Sequence, residues 1–259
     1  MKRRTVLASA AAASAASFAM QSPASKPKYL ELSWLRLRNT PDNQRRRLAD
    51  FLEQHAAPAL QRVNAQPWGF FQSVIAPDSP FALLVFQSDS LNGFLELESR
   101  LMADEAFSKA MTDYMGGPLP YVRNEVWLLE GFRTFPAIEV PPGDAKRPPR
   151  IFELRTYESN TGLTLARKIG MFDNGEIEIF RKTGLLPVFF GKTIAGGRMP
   201  NLTYMLGFES LAAREANWRT FASSPEWKKL SATPGLSDGE VVSNISSMIL
   251  APMAGSMIR

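Results

Sequence analysis

LLPVFFGKTIAGGRMPNLTYMLGF, residues Leu185 to Phe208, reads as strand, turn, strand. Val188 to Ile194 is rich in β-branched and aromatic residues, and Ala195-Gly196-Gly197 supplies turn chemistry. Leu202, Tyr204, Leu206 and Phe208 then alternate with smaller or more polar neighbours, the period of a pleated strand. An earlier pair of segments, Trp68 to Phe71 and Phe81 to Ser88, has the same form. Phe86-Gln87-Ser88 returns as Phe208-Glu209-Ser210, and Leu30-Glu31-Leu32 returns as Phe152-Glu153-Leu154, both at a shift of 122 residues (208 − 86 and 152 − 30). Phe107 matches Trp227 at 120 (227 − 107). A shift this steady across three elements marks two copies of one unit.

Each copy predicts the order β-α-β-β-α-β. In the first, a strand spans Tyr29 to Leu37, and Asp42 stands where a helix cap is needed. Leu48, Phe51, Leu52, His55, Ala59 and Leu60 then form one apolar stripe at helical spacing. After the hairpin come a helix from Leu91 to Leu101, a helical turn at Asp104 to Phe107, and a strand from Asn124 to Glu130. Residues 135–150 carry five prolines and read as an extended linker. The second copy opens with the strand Ile151 to Tyr157, continues as a helix from about Leu163 to Thr183 with a break near Gly170 and Gly175, and passes through the opening hairpin. Ser210 and Ser224-Pro225 start two further helices, and Ser243 to Leu250 is the last strand. The expected fold class is therefore α+β: two tandem ferredoxin-like units over residues 29–134 and 151–252, with a tail at 253–259.

Composition narrows the chemistry. A chain of 259 residues without cysteine has no disulfide, no thiolate nucleophile and no cysteine metal ligand, and its single histidine, His55, rules out a zinc site of His and Cys. The formal charge of +5 comes from 30 basic and 25 acidic residues; without Lys2, Arg3 and Arg4 the balance is 27 to 25, too even to argue for nucleic acid. Residues 1–19, MKRRTVLASAAAASAASFA, have the form of a signal peptide, and Arg3-Arg4-Thr5-Val6-Leu7 is similar to a twin-arginine export signal. The expectation is export to the periplasm, with a mitochondrial transit peptide as the alternative and no stable membrane anchor. Residues 1–28 thus form a targeting segment and a polar lead-in. Gly191-Lys192-Thr193 ends like a phosphate loop, but Leu186 stands where that loop needs glycine.

Several stretches together resemble the NIPSNAP family: Phe152-Glu153-Leu154-Arg155-Thr156-Tyr157, Gly175-Glu176-Ile177-Glu178-Ile179-Phe180-Arg181-Lys182, Val188-Phe189-Phe190-Gly191, Met199 to Leu206, and Phe208-Glu209 through Arg214-Glu215 to Pro225-Glu226-Trp227-Lys228. Phe51-Leu52 through His55 to Pro58 looks like the first-half counterpart. The resemblance implies ferredoxin-like domains of the dimeric α/β-barrel type, paired within one chain or as a homodimer. It implies no settled reaction; relatives by fold include cofactor-free monooxygenases, small isomerases and haem enzymes.

In that architecture helices cover one sheet face and the other face lines the interior. Phe152 and Leu154 are expected to face helices, and Glu153, Arg155 and Tyr157 to face inward. A carboxylate, a guanidinium and a phenol beside apolar residues suit a small-molecule pocket. Glu153 is the candidate general base if burial raises its pKa, with Tyr157 the second catalytic candidate. Arg155, Glu176, Asn201, Tyr204 and His55 are candidate substrate contacts. The alternatives are that Glu153 and Arg155 satisfy each other, that Glu176 and Asn201 do capping and turn work, and that His55 is a hydrogen-bonded histidine near the end of its helix. No metal or cofactor is expected. Function reduces to small-molecule binding with cofactor-independent monooxygenase or isomerase chemistry, or to a non-catalytic scaffold acting through its helix surface. Haem binding, resting on His55 alone, is a third and weaker reading.

Overall fold

The computed structural model describes residues 26–143 and 148–259; the proposed targeting segment lies outside them. In the first half β1 (Tyr29–Arg36) leads into α1 (Gln44–Phe51), a π-helical turn (Leu52–Ala56) and α2 (Ala57–Arg62). The hairpin β2 (Trp68–Ile75) and β3 (Phe81–Ser88) follows, then α3 (Asn92–Ala103), α4 (Glu105–Gly116) and β4 (Arg123–Gly131). The second half repeats the plan. It runs through β5 (Ile151–Glu158), α5 (Gly162–Met171), a π-helical turn (Phe172–Glu176) and α6 (Ile177–Lys182). Then come β6 (Leu186–Ala195), β7 (Asn201–Phe208), α7 (Leu211–Ser223), α8 (Pro225–Ser231), the short α9 (Asp238–Val241) and β8 (Asn244–Pro252).

The fold is α+β, but its strands do not form two separate sheets. They run β4-β1-β3-β2 and then β8-β5-β7-β6 around one closed barrel. Two antiparallel seams, β2 with β8 and β4 with β6, join the halves. The edge that each unit would expose is thereby covered by the other unit of the same chain.

Closure decides what fills the interior. Leu32, Val85, Leu129, Leu154, Met205 and Leu250, from six different strands, are all at most 1 % exposed and pack as one cluster. An eight-stranded barrel is just wide enough for its inward side chains to fill it. One end is plugged by Ile138, from the stretch between the halves, and Ile258, from the C-terminal tail. Trp68 Nε1 donates to the Gly255 carbonyl at 2.8 Å and the Phe70 amide to Ser256 Oγ at 3.0 Å, which fasten the tail. The proline-rich stretch is also held: the Glu139 amide donates to the Val188 carbonyl at 2.8 Å and Phe135 is buried.

Alternation along β5 does part Phe152 and Leu154 from Glu153, Arg155 and Tyr157, but the two faces are exchanged relative to expectation. Phe152 and Leu154 fill the barrel, and the three polar residues face the helices. A period of two separates the faces without saying which is inside, and a lumen this narrow takes the apolar set.

Local differences have local causes. Asn43 rather than Asp42 caps α1, accepting from the Arg46 amide. The turn at Asp104 opens a full helix, α4, because the Asp104 carboxylate accepts from the Phe107 amide at 2.9 Å. The π-helical turn at Leu52–Ala56 adds a residue to the repeat and shifts the stripe: Leu48, Leu52, Ala59 and Leu60 are buried, whereas His55 is exposed. In the second half the helical path breaks at Gly175 (φ 145°, ψ −25°) and passes through Gly170 intact. No helix among the described residues is long and apolar enough to cross a membrane.

Candidate functional site

The pleat of β5 presents Glu153 to α7, where Arg214 and Trp218 stand one helical turn apart. Arg214 Nε and Nη2 donate to the carboxylate at 2.9 and 2.6 Å, and Trp218 Nε1 donates at 2.8 Å. Arg155 Nη1 adds a bond at 2.8 Å and Ser247 Oγ one at 2.6 Å. Burial alone would raise the Glu153 pKa, but Arg214, Arg155, Ser247 and Trp218 outweigh it and hold the carboxyl below its ordinary value. Two oxygens offer about four acceptor sites, so this carboxylate is charged and saturated. The expectation of a general base required a raised pKa, and the shift runs the other way; the same bonds tie α7 to the sheet at Glu153.

The network continues along the strand. Arg155 Nη2 donates to the Tyr157 hydroxyl at 3.2 Å, and the Tyr204 hydroxyl donates to the same oxygen at 2.9 Å. The Arg155 guanidinium lies 4.7 Å from the Trp218 ring centroid, a cation–π contact. Arg155 Nε is buried without a partner. Tyr204 is fully buried, and burial pushes its phenol well above the ordinary range.

A second cluster lies against Tyr157. Lys168 Nζ is 3.2 Å from Glu176 Oε2, 3.2 Å from Asp238 Oδ1 and 5.5 Å from the Tyr157 ring centroid. Lys168 and Glu176 are shut from solvent, while half of the Asp238 side chain is exposed. Burial pushes the Glu176 carboxyl up to about 7 against the pull of Lys168. Burial would lower Lys168, but Glu176 and Asp238 override it and keep the amine charged. The cluster thus sets a fixed positive charge beside a carboxyl that exchanges its proton near neutral pH.

The structure brings Glu153, Arg155, Tyr157 and Tyr204 into one network, with Glu176 beside it through Lys168. Asn201 and His55 lie elsewhere. Asn201 sits on the barrel side, where it accepts from Thr193 Oγ1 at 2.6 Å and donates to the Gly197 carbonyl at 2.9 Å, which is turn work. His55 lines a surface groove between the π-helical turn and α4, of about 590 Å³, with Arg47, Phe51 and Tyr114. Sequence reasoning missed Lys168, Asp238, Arg214, Trp218 and Ser247. Lys168 was legible as a lysine on the apolar stripe of Leu165 and Phe172, whereas Asp238 and Ser247 carry no local signal. No group of three or more His, Cys, Asp or Glu among the described residues is placed to hold a metal ion.

The first half shows what the unit needs merely to fold. At the strand shift of 122, Glu153, Arg155 and Tyr157 correspond to Glu31, Ser33 and Leu35. The sheet pairs Ser33 with Leu84 as it pairs Arg155 with Tyr204, so Tyr204 corresponds to Leu84. The π-helical turns align at 120 (172 − 52), so Lys168 and Glu176 correspond to Leu48 and Ala56. The counterparts of Tyr157, Lys168 and Glu176 are the buried apolar residues Leu35, Leu48 and Ala56, and that of Tyr204 is the half-buried Leu84. The same architecture therefore forms without the Lys168–Glu176 pair.

Residues 152–257 match the family model for NIPSNAP. Among solved structures the chain is similar to a candidate monooxygenase from Lactobacillus acidophilus NCFM, at 10 % identity and a TM-score of 0.58, over 88 % of this chain and 94 % of that one. A candidate monooxygenase from Fusobacterium nucleatum subsp. nucleatum is similar at 7 % identity and a TM-score of 0.57, with the same coverage of 88 % and 94 %. An uncharacterised NIPSNAP-like domain protein from Burkholderia xenovorans aligns at 20 % identity and a TM-score of 0.37, over 40 % of this chain and 86 % of that one. At these identities the first two likenesses describe the fold alone. No curated protein matches the chain significantly.

Proposed function

We propose that the second half of the chain handles a small organic molecule in its helix layer, with Glu176 as the proton-exchanging group. In this reading Lys168, Arg155 and the Tyr157–Tyr204 pair, which lie together, stabilise negative charge on the molecule's oxygen. The carrying observation is the contrast between the halves: one unit buries leucine and alanine where the other buries a lysine and a carboxyl. Burying such charges costs stability, and the sister unit folds without them, so their retention points to use. Proton removal beside a carbonyl or from a phenol opens both isomerisation and monooxygenation without a cofactor; in the second case the resulting anion reacts with dioxygen. The names of the two bacterial neighbours agree with this chemistry, but the weight rests on the cluster. In this reading the halves are tandem ferredoxin-like units of the dimeric α/β-barrel type, and Arg3-Arg4 supports export to the periplasm.

Saturation of Glu153 and the closed packing around Lys168 favour a second reading, a binding or scaffold protein that acts through its helix surface. Native mass spectrometry of the gently purified exported form, beginning near Met20, separates the two. The proposal expects a bound molecule of small mass in the wild type and none in a folded Lys168→Leu, Glu176→Ala double variant. Equal, ligand-free masses for both proteins would discard it in favour of the scaffold.

A further inference from the structure

Among the described residues, Ile138 and Ile258 plug one end of the barrel. At the other, a cavity of about 260 Å³ lies among Trp34, Arg36, Trp127, Thr156, Arg198 and Met248. Trp34 is 2 % exposed, yet its Nε1 has no hydrogen-bond partner, and neither do Arg36 Nε and Nη1. Buried donors without acceptors are uncommon enough to need a reason. The rest of the Arg36 guanidinium is fixed: Nη2 donates to Glu125 Oε2 at 2.8 Å, and its carbon lies 5.2 Å from the Phe81 ring centroid. The free donors are thus held in place.

The walls are built with equal care. The Trp34 and Trp127 rings meet at a centroid distance of 4.8 Å. The β6–β7 turn passes so close to Trp127 that a Cβ on Gly196 (φ 153°) would lie 2.6 Å from its Cγ. Asn201 steadies that turn through the Gly197 carbonyl, and Arg198 is tied to Ser246 Oγ at 2.9 Å. Charge selects the occupant. Arg36 and Arg198 line the cavity with two carboxylates, Asp78 and Glu125, and Arg123 at its rim, with Nε 2.6 Å from Glu125 Oε1, leaves one positive charge in excess. One negative charge completes the balance; two would meet Asp78 and Glu125.

We infer that the open end of the barrel is a binding site for a small monoanion with a flat apolar body, of which an aromatic monocarboxylate is the type. The carboxylate accepts from Arg36 and Trp34, and the ring lies against Trp127 and Met248. The volume is below the roughly 300–1,000 Å³ of pockets for drug-sized ligands, so the occupant is small. This site is distinct from the Lys168–Glu176 cluster in the helix layer and does not depend on the reading given to that cluster.

Benzoate is the probe, titrated into the full chain and followed by NMR at the Trp34 indole N–H, which is identified by its loss in Trp34→Phe. The expected result is a saturable shift at or below about millimolar benzoate, no comparable shift with benzyl alcohol, and affinity weakened at least about tenfold in Arg36→Gln. An unmoved resonance would mean that the donors serve solvent alone and would overturn the inference. Equal shifts with benzyl alcohol would overturn its anionic character. Should Arg36→Gln fail to fold, calorimetry on Trp34→Phe, which keeps the aromatic packing and loses the donor, decides: weaker benzoate binding supports the site, and unchanged binding removes it.

Discussion

Glu153 and Glu176 are buried carboxylates with opposite fates, because one meets a ring of donors and the other a single amine. Replacing Glu153 by glutamine leaves Arg155 and Arg214 without their counter-charge beneath α7. Destabilisation of about 3 kcal/mol in urea unfolding is expected, the lower end of what broken buried pairs cost since both arginines keep some contact with water. Glu176 acts on the pH dependence. Its folded pKa of about 7 lies above the ordinary 4.5, so the folded chain holds a proton that the unfolded chain has released between those values. Stability therefore falls as pH rises from about 4.5 to 7, by about 3 kcal/mol for this group. Glu31 acts in the same direction, raised chiefly by burial and further by Glu98 against the pull of Ser33. Thermal melts between pH 5 and 7.5 should show the decline in the wild type and a flatter profile in Glu176→Gln; identical slopes would refute the assignment. Of these residues, Glu153, Arg155, Tyr157, Glu176 and Tyr204 were legible from strand alternation and resemblance. Their roles were not, because a role depends on donors such as Arg214 and Ser247 that reach the site from distant parts of the chain.

At the scale of elements, both halves place a π-helical turn at the same point, so the turn belongs to the unit and not to its chemistry. Only the second departs from helical angles within it. Gly175 takes φ 145°, whereas His55, at the matching position, keeps a negative φ. A Cβ at Gly175 would meet nothing within 4 Å, so the demand is on the backbone alone. Gly175→Ala should cost about 1–3 kcal/mol in denaturant unfolding and disturb Glu176, its neighbour in the chain. Hairpins, caps at Ser210 and Ser224, and the break at Gly175 were all readable, since each is written in adjacent residues. The displacement of His55 from its stripe was not, because a π-helical turn keeps the composition of an α-helix while moving its face.

For the whole molecule, the repeat was readable and the closure was not. Periodicity describes each unit, whereas the β2–β8 and β4–β6 seams lie between units. Residues 148–259 produced alone would bare two strand edges and one wall of the lumen. They are expected to run as a dimer or aggregate in size-exclusion chromatography with light scattering; a stable monomer would show that the seams contribute little.

The seams differ from each other. The β2–β8 seam has its irregularity between Ser73 and Ile75, and the β4–β6 seam between Leu128 and Leu129. A barrel made from two identical chains must use one interface twice, and every mutation in it appears twice. A barrel closed by its own chain is released from that symmetry, and its assembly is first order, independent of dilution. One unit can then bury a charged cluster where the other holds leucine and alanine, so that a single copy bears the cost of the charges.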